Sequence, residues 1–228
     1  MYDINRLERE EEIKLLKALK WKGFVYYNYD EEFSLDKYEE VKDIGERYNL
    51  KVFSGVKIKA NSVRELTKKV KKFRKKCHII LVEGGDLKIN RGAVEIHDVD
   101  ILSTPELNRK DSGINHVLAR LASEHRVALE INFRNLLTKD GYERARTLLF
   151  FRRNLMLAKK YKTPVVICSD ATNIYEVKSL YDLRAFLNTL VDREFSREII
   201  LYNKKICEFR EYLMRDNVIR YGVEVVED

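Results

Sequence analysis

Short apolar runs alternate with amphipathic stretches along almost the whole chain. Each run has the length of a strand, and runs that are apolar throughout are typical of parallel strands buried on both faces. The predicted strands are Tyr2 to Asn5, Phe24 to Tyr29, Lys51 to Lys59, His78 to Glu83, Val99 to Leu102, Val127 to Phe133 and Pro164 to Cys168. The tail from Ile219 to Asp228 is predicted either to add a final strand or to lie outside the core.

The stretches between these runs have apolar residues at helical spacing. Ser62, followed by Glu65 three residues later, has the pattern of a capping box at a helix start. Gly23 is predicted to end the first helix at its C-terminus. The predicted helices run from Glu8 to Lys20, Ser34 to Tyr48, Ser62 to Phe73, Ile114 to Ala122, Asp140 to Tyr161, Leu180 to Val191 and Arg197 to Arg215.

Strands and helices that alternate in this way form either a (β/α) barrel or an open, doubly wound sheet. The chain has 228 residues and seven or eight strand units, which favours the α/β class with a TIM-like (β/α) barrel. No glycine-rich dinucleotide-binding turn follows the first strand, which counts against the open sheet. Only two prolines occur and no flexible linker interrupts the pattern, so we predict one domain over residues 1–228.

Charge is abundant and unevenly distributed. The net charge is +7, which favours a polyanionic partner such as RNA, DNA or anionic lipid. Residues 57–76 carry ten basic side chains and one acidic side chain, and residues 134–162 carry nine basic and two acidic side chains. Residues 1–46, in contrast, carry eight basic and thirteen acidic side chains. A lysine-rich helix face is either merely solvated or a phosphate-contacting patch, and the polarised distribution favours the patch.

The cysteines and the hydropathy indicate the compartment. Cys77, Cys168 and Cys207 are odd in number and far apart, so neither a disulfide framework nor a zinc knuckle is predicted. No apolar run is long enough to span a membrane, and the N-terminus lacks the apolar stretch of a signal peptide. We predict a cytoplasmic protein that does not contact a membrane.

Several polar residues lie at predicted strand ends, where barrels carry their active groups. They are Glu83, the run from His97 to Asp100, Glu130, Asn132, Arg134 and the run from Ser169 to Ala171. The run from His97 to Asp100 is consistent with a metal site or, as we favour, with turn capping and ion pairing. The four histidines are scattered, and no nucleophile elbow or phosphate-binding loop occurs.

Several irregular motifs occur in order along the chain. They are GGDLKINRGAVE, Asp98 with Asp100, Gly113-Ile114-Asn115, Leu118-Ala119, Arg126 with Ala128-Leu129-Glu130-Ile131, Ser169-Asp170-Ala171, and Leu183-Arg184. With these motifs the chain resembles the ribonuclease P component 3 family, the archaeal relatives of the eukaryotic thirty-kilodalton subunit. The resemblance extends over nearly the whole chain and is strongest from Glu83 to Ala171.

The resemblance implies a barrel related to the polymerase-and-histidinol-phosphatase hydrolases, whose metals are held by histidine motifs on the first strand and on a late one. Here those motifs read Asp3-Ile4-Asn5 and Asp170-Ala171-Thr172, without histidine. A metal-activated water would have nothing to hold it. We therefore expect no catalytic residue and no metal in the protein itself; the alternative is an active metal-dependent phosphoester hydrolase of the same superfamily.

The resemblance also implies an assembly. In it, a catalytic RNA that uses magnesium removes the 5′ leader of precursor tRNA. This chain would stabilise the catalytic domain of that RNA together with protein component 2, as two copies of each. Components 1 and 4 and a kink-turn-binding ribosomal-type protein are the other implied partners. A general RNA- or DNA-binding barrel outside ribonuclease P is a further alternative.

The predicted RNA contacts are basic residues in family-like segments and on one lysine-rich helix. Arginine suits this role because its planar fork holds phosphate oxygens in pairs. We predict that Arg91, Arg109, Lys110 and Arg134, all expected outside helix interiors, contact phosphates, that Lys68, Lys72 and Lys75 add a diffuse positive field, and that His97 and His116 donate to RNA.

Overall fold

The computed structural model describes residues 1–225, in which seven parallel strands form one sheet. The strands pair in sequence order, so each strand lies beside the next one along the chain. They are β1 (Tyr2–Asn5), β2 (Gly23–Tyr29), β3 (Lys51–Ile58), β4 (Ile79–Glu83), β5 (Ile101–Ser103), β6 (Ala128–Asn132) and β7 (Val165–Cys168). This arrangement confirms the predicted TIM-like barrel, with seven strands in its wall.

Helices connect the strands and pack mainly on the outside of the sheet, and the last helix also contributes Ile206 and Cys207 to the interior cluster. They are α1 (Glu10–Ala18), α2 (Leu35–Arg47), α3 (Val63–Phe73), α4 (Leu87–Glu95), α5 (His116–His125), α6 (Arg134–Leu137), α7 (Gly141–Tyr161), α8 (Leu180–Leu190) and α9 (Arg193–Leu213). Helix α4 was not predicted. None of the helices described is both long and apolar enough to cross a membrane.

The tail lies outside the barrel. Strands β8 (Val218–Arg220) and β9 (Val223–Glu224) pair with each other as a short antiparallel hairpin. The second of the two sequence alternatives for the tail is therefore correct up to residue 225; its last three residues lie outside the described part of the chain.

Within residues 1–225, the barrel closes between β1 and β7 without an eighth strand. Two backbone hydrogen bonds cross this seam: Asp170 N–H donates to Ile4 O at 3.1 Å, and Arg6 N–H donates to Ala171 O at 2.9 Å. Asn203 of α9 bridges the same gap lower down. Its Nδ2 donates to Tyr2 O at 3.1 Å and to Ile167 O at 2.6 Å, and its Oδ1 accepts from Ile167 N–H at 3.2 Å.

Two apolar layers follow from the alternation of side chains along the strands. The larger layer packs the outer face of the sheet against the helices. The smaller one fills the barrel with residues such as Tyr2, Val25 and Phe53. Gly55 makes room in this interior, because a Cβ at this position would lie 2.9 Å from Cβ of Tyr27 and 2.8 Å from a methyl of Val25.

The N-terminal end of the barrel is fastened by the buried carboxylate of Asp100. It accepts from Arg74 at 2.6 Å, from Arg210 and from the backbone N–H of Ile80 at 2.7 Å. Arg74 follows α3 and Arg210 lies on α9, so one carboxylate joins two helices to the start of β5. The motif of Asp98 and Asp100 thus has a structural role here.

Candidate nucleic-acid interface and the barrel mouth

The carboxyl ends of the strands bring a buried ionic cluster to one end of the barrel, which we call the mouth. Lys57 points inward from β3, with its side chain 4% exposed. Its ammonium lies 3.2 Å from the hydroxyl of Tyr27 and 3.7 Å from Oδ1 of Asp170. The Tyr27 hydroxyl donates to the same Oδ1, so the three groups form one connected cluster.

Glu130 is the second carboxylate of the mouth. It accepts from the hydroxyl of Ser103 and from Sγ of Cys168 at 3.3 Å. The amide of Asn132 joins both acids, donating to Asp170 at 2.8 Å and to Glu130 at 3.3 Å. Burial raises the pKa of Glu130, with Lys57 acting in the opposite direction. Side chains of the chain itself therefore satisfy the acids of the mouth.

The residues at the positions of the missing histidines do not face this cluster. Asp3 and Asn5 point away from the barrel interior, because Tyr2 and Ile4 occupy the inward positions of β1. Asp3 accepts from Ser169 N–H at 2.8 Å and from Asn5 at 3.2 Å, and burial raises its pKa to about 6. The hydroxyl of Thr172 donates to Glu176 at 2.9 Å.

The donor set does not fit a metal ion. Within residues 1–225, no group of three or more His, Cys, Asp or Glu side chains is arranged to hold one. At the mouth, Oδ1 of Asp170 accepts from the Tyr27 hydroxyl and lies 3.7 Å from the Lys57 ammonium, and its Oδ2 accepts from Asn132, so both oxygens already have partners.

Glu106, in the loop after β5, is buried with an incomplete set of partners. Its Oε1 accepts from Asn135 at 3.3 Å, and no hydrogen bond from the described part of the chain reaches its Oε2. Burial raises the pKa of Glu106 to about 7, and the charge of Glu130 adds to this shift. No sequence motif pointed to Glu106.

Four of the predicted RNA contacts lie on loops or helix starts at the mouth end. Arg109 is held by both carboxylate oxygens of Asp111, at 2.7 and 2.9 Å. Lys110, beside it, is exposed, and His116 is exposed at the first residue of α5. Arg134 is half-buried at the first residue of α6, where its Nε donates to Glu176 at 2.9 Å.

Lys68, Lys72 and Lys75 are exposed on α3 or just after it, as the apolar stripe of that helix predicts. Fewer basic side chains of the segment 57–76 are available at the surface than its composition indicates. Besides the buried Lys57, Lys69 is paired with Asp30 and Glu65, and Arg74 with Asp100. Of the seven exposed residues that remain, Lys59 follows β3 and lies 3.8 Å from Glu83. The other six form the α3 patch, which consists of Arg64, Lys68, Lys71, Lys72, Lys75 and Lys76.

Two predicted contacts lie elsewhere. The expectation that Arg91 lies outside a helix interior is wrong: it is in the middle of α4, where it pairs with Glu95 at 2.8 Å. His97 lies at the opposite end of the barrel from the mouth, with its ring centroid 4.3 Å from that of His125. His97 is thus separated from the mouth-end group, although it remains exposed.

Fold and site together define a seven-stranded (β/α) barrel whose mouth is filled by its own ion pairs and whose exposed cations lie on loops and outer helices. A family model matches the sequence: the model described as RNase P subunit p30 matches residues 1–215. The chain belongs to this family.

Individual relatives agree with the family match. The chain is 70% identical to ribonuclease P protein component 3 of Methanocaldococcus jannaschii, over 99% of this chain and 97% of that protein. It is 50% identical to the protein of the same name from Methanococcus maripaludis strain C7, over 100% and 98%. A chain in the cryo-EM structure of archaeal ribonuclease P with mature tRNA superposes with a TM-score of 0.94 and 70% identity, covering 100% of this chain and 99% of that one.

Proposed function

We propose that this chain is the component 3 subunit of an archaeal ribonuclease P, the enzyme that removes the 5′ leader of precursor tRNA. The full-length match to a chain of archaeal ribonuclease P with mature tRNA carries this conclusion. Its partners are accordingly RNA and other proteins. In this assembly the chain binds and stabilises the catalytic domain of the catalytic RNA.

The proposal assigns no catalytic residue to the protein. The acids of the mouth are engaged by Lys57, Tyr27, Ser103 and Asn132 instead of facing a substrate. We propose that the RNA is the catalyst and uses magnesium, and that the protein binds no cofactor.

The remaining partners are proposed from the family resemblance. They are protein component 2, in a heterotetramer with two copies of each chain, components 1 and 4, and a kink-turn-binding ribosomal-type protein. The cytoplasm remains our prediction for its location.

We propose two RNA-contacting surfaces. The first comprises the exposed groups at the mouth end, Lys110, Arg134 and His116, with Arg109 held in place by Asp111. The second is the α3 patch. Exposed lysines are suited to phosphate contacts, which position RNA without reading its sequence.

The α3 patch is tested by the triple variant K68A/K72A/K75A in binding to the catalytic RNA across a salt series. If the three lysines contact phosphates, affinity falls and the slope of log K against log salt decreases in magnitude by about 2–3. The matched control is K14A/K17A/K22A, which removes three exposed lysines from the acidic N-terminal part of the chain. Equal slopes for wild type and K68A/K72A/K75A would exclude the patch.

Reconstitution tests the function itself. Catalytic RNA and the partner proteins are assayed for precursor tRNA cleavage with and without this chain, at low magnesium. Cleavage should fall when the chain is omitted. The hydrolase alternative predicts instead that the purified protein contains metal and turns over generic phosphoesters alone, which elemental analysis and an assay without RNA would detect.

A further inference from the structure

The buried ammonium of Lys57 is a feature that RNA binding does not explain. Lys57 lies on the inward face of β3, the same face as Phe53 and Gly55. Lysine is rarely buried unless it is paired, because removing its charge from water is costly. Its contacts at the mouth must therefore offset that cost.

The surroundings of Lys57 are negative on several sides. Burial alone lowers the pKa of Lys57, but Tyr27, Asp170 and Glu130 together raise it by more than burial lowers it. The pKa of Lys57 therefore lies well above its ordinary value. The ammonium also lies 4.8 Å from the centroid of the Tyr27 ring, within cation–π range. Lys57 is therefore charged at neutral pH.

The two carboxylates converge on one place. A single amide nitrogen of Asn132 donates to both Asp170 and Glu130, so their oxygens are close neighbours. Two like charges at this spacing in a buried mouth repel each other unless a cation lies beside them. The Lys57 ammonium, 3.7 Å from Asp170, is that cation.

We propose that Lys57 is the resident cation of the barrel mouth: its ammonium holds the place beside Asp170 and Glu130 that a divalent cation would otherwise fill. The mouth is then a fixed structural plug that needs no ion from solution. This inference concerns the free protein and does not depend on the proposed RNA-binding function.

The variant K57A tests the proposal by removing the ammonium and leaving space for an ion. Uncompensated buried acids should lower the melting temperature by about 10 °C at about pH 8, and by clearly less at about pH 5, because burial raises the pKa of Glu130 and so favours its neutral form at the lower pH. The ionisable groups that surround the vacant place are Asp170, Glu130, Tyr27, Tyr29 and Cys168, with Arg134 as a further charge near Asp170. Millimolar MnCl₂ should raise the melting temperature of K57A and leave that of wild type unchanged.

The matched control is K59A. Lys59 lies two residues further along the chain, just after β3; its side chain is 71% exposed and its ammonium is 3.8 Å from Glu83. K59A should melt like wild type, without dependence on Mn²⁺. If K57A loses the same stability at both pH values, or if Mn²⁺ leaves its melting temperature unchanged, the proposal is wrong, because lost packing alone would give that result.

The double variant K57A/D170N keeps the proposal testable if K57A does not fold. Asp170 has a left-handed backbone, with φ of 52°, which asparagine tolerates. The Tyr27 hydroxyl can accept from the new amide instead of donating. Recovery of soluble, cooperatively melting protein on adding D170N would support charge neutralisation as the role of Lys57, and an unfolded double variant would contradict it.

Discussion

The carboxyl group of Glu106 is buried with one oxygen unbonded, and its pKa is raised to about 7. The folded state binds a proton on Glu106 more tightly than the unfolded chain does. The stabilisation of the fold by this protonation is therefore complete below the pKa of the carboxyl in the unfolded chain and is lost as pH rises through 7. Asp3, with its pKa raised to about 6, acts in the same direction.

The variant E106Q should remove the Glu106 part of this pH dependence. At about pH 8, we expect E106Q to be more stable than wild type by about 3 kcal/mol, with the difference falling to about 1 kcal/mol or less near pH 5. Urea denaturation at both pH values measures it. The control E40Q changes an exposed glutamate and should shift neither curve. A constant difference between E106Q and wild type would mean that Glu106 does not titrate in this range.

Lys57 shows what residue patterns reveal at this scale. The strand around it was predicted, and its alternation puts Lys57 on the same face as Phe53. Composition alone places Lys57 in a basic surface segment, whereas the alternation of inward and outward side chains along the strand places it in the barrel interior. The partners of Lys57 could not be found this way, because Tyr27 lies on β2, Glu130 on β6 and Asp170 in the loop after β7.

At the scale of elements, α9 takes part in closing the barrel. Asn203 presents an amide to the backbone of both edge strands, and its three hydrogen bonds occupy groups that a missing eighth strand would leave unpaired. Buried backbone groups without hydrogen-bond partners are costly, so the hydrogen bonds from α9 stabilise the closed barrel.

The variant N203A should open this seam. Loss of three hydrogen bonds, each contributing about 1 kcal/mol, lowers the free energy of unfolding by about 2–4 kcal/mol. Urea denaturation measures the loss, and hydrogen exchange at the amide of Ile167 should accelerate. N188A, at an exposed position of α8, is the control. If Ile167 exchanges as slowly in N203A as in wild type, the seam is held by other contacts.

Two errors at element boundaries have physical causes. Gly23 does not end α1, which stops at Ala18 with Lys20 in the left-handed region; it begins β2, where a Cβ would lie 2.1 Å from Lys51 O. Helix α4 was missed because its nine residues include Gly92, whereas its cap is clear: Asp86 accepts from Lys88 and Ile89 N–H.

For the whole molecule, the sequence predicted the barrel and the family, but the extent of the basic surface required coordinates. Lys57, Lys69 and Arg74 are counted in the basic segment 57–76, yet each is paired with acids within the chain. Such pairs join residues that are distant in sequence, so composition cannot separate internal from exposed charge.

This separation predicts that the barrel contributes to ribonuclease P through its surface and not through its mouth. In reconstituted holoenzyme, K110A/R134A should weaken association with the catalytic RNA roughly tenfold or more, since each lost charge-assisted hydrogen bond contributes about 1.5–3 kcal/mol. Precursor tRNA cleavage at low protein concentration should slow accordingly.

K57A/D170N, assayed well below its melting temperature, should support cleavage at the wild-type rate, because its changes lie in a buried cluster. Slower cleavage with K57A/D170N, at saturating protein and with its fold intact, would show that the mouth itself takes part.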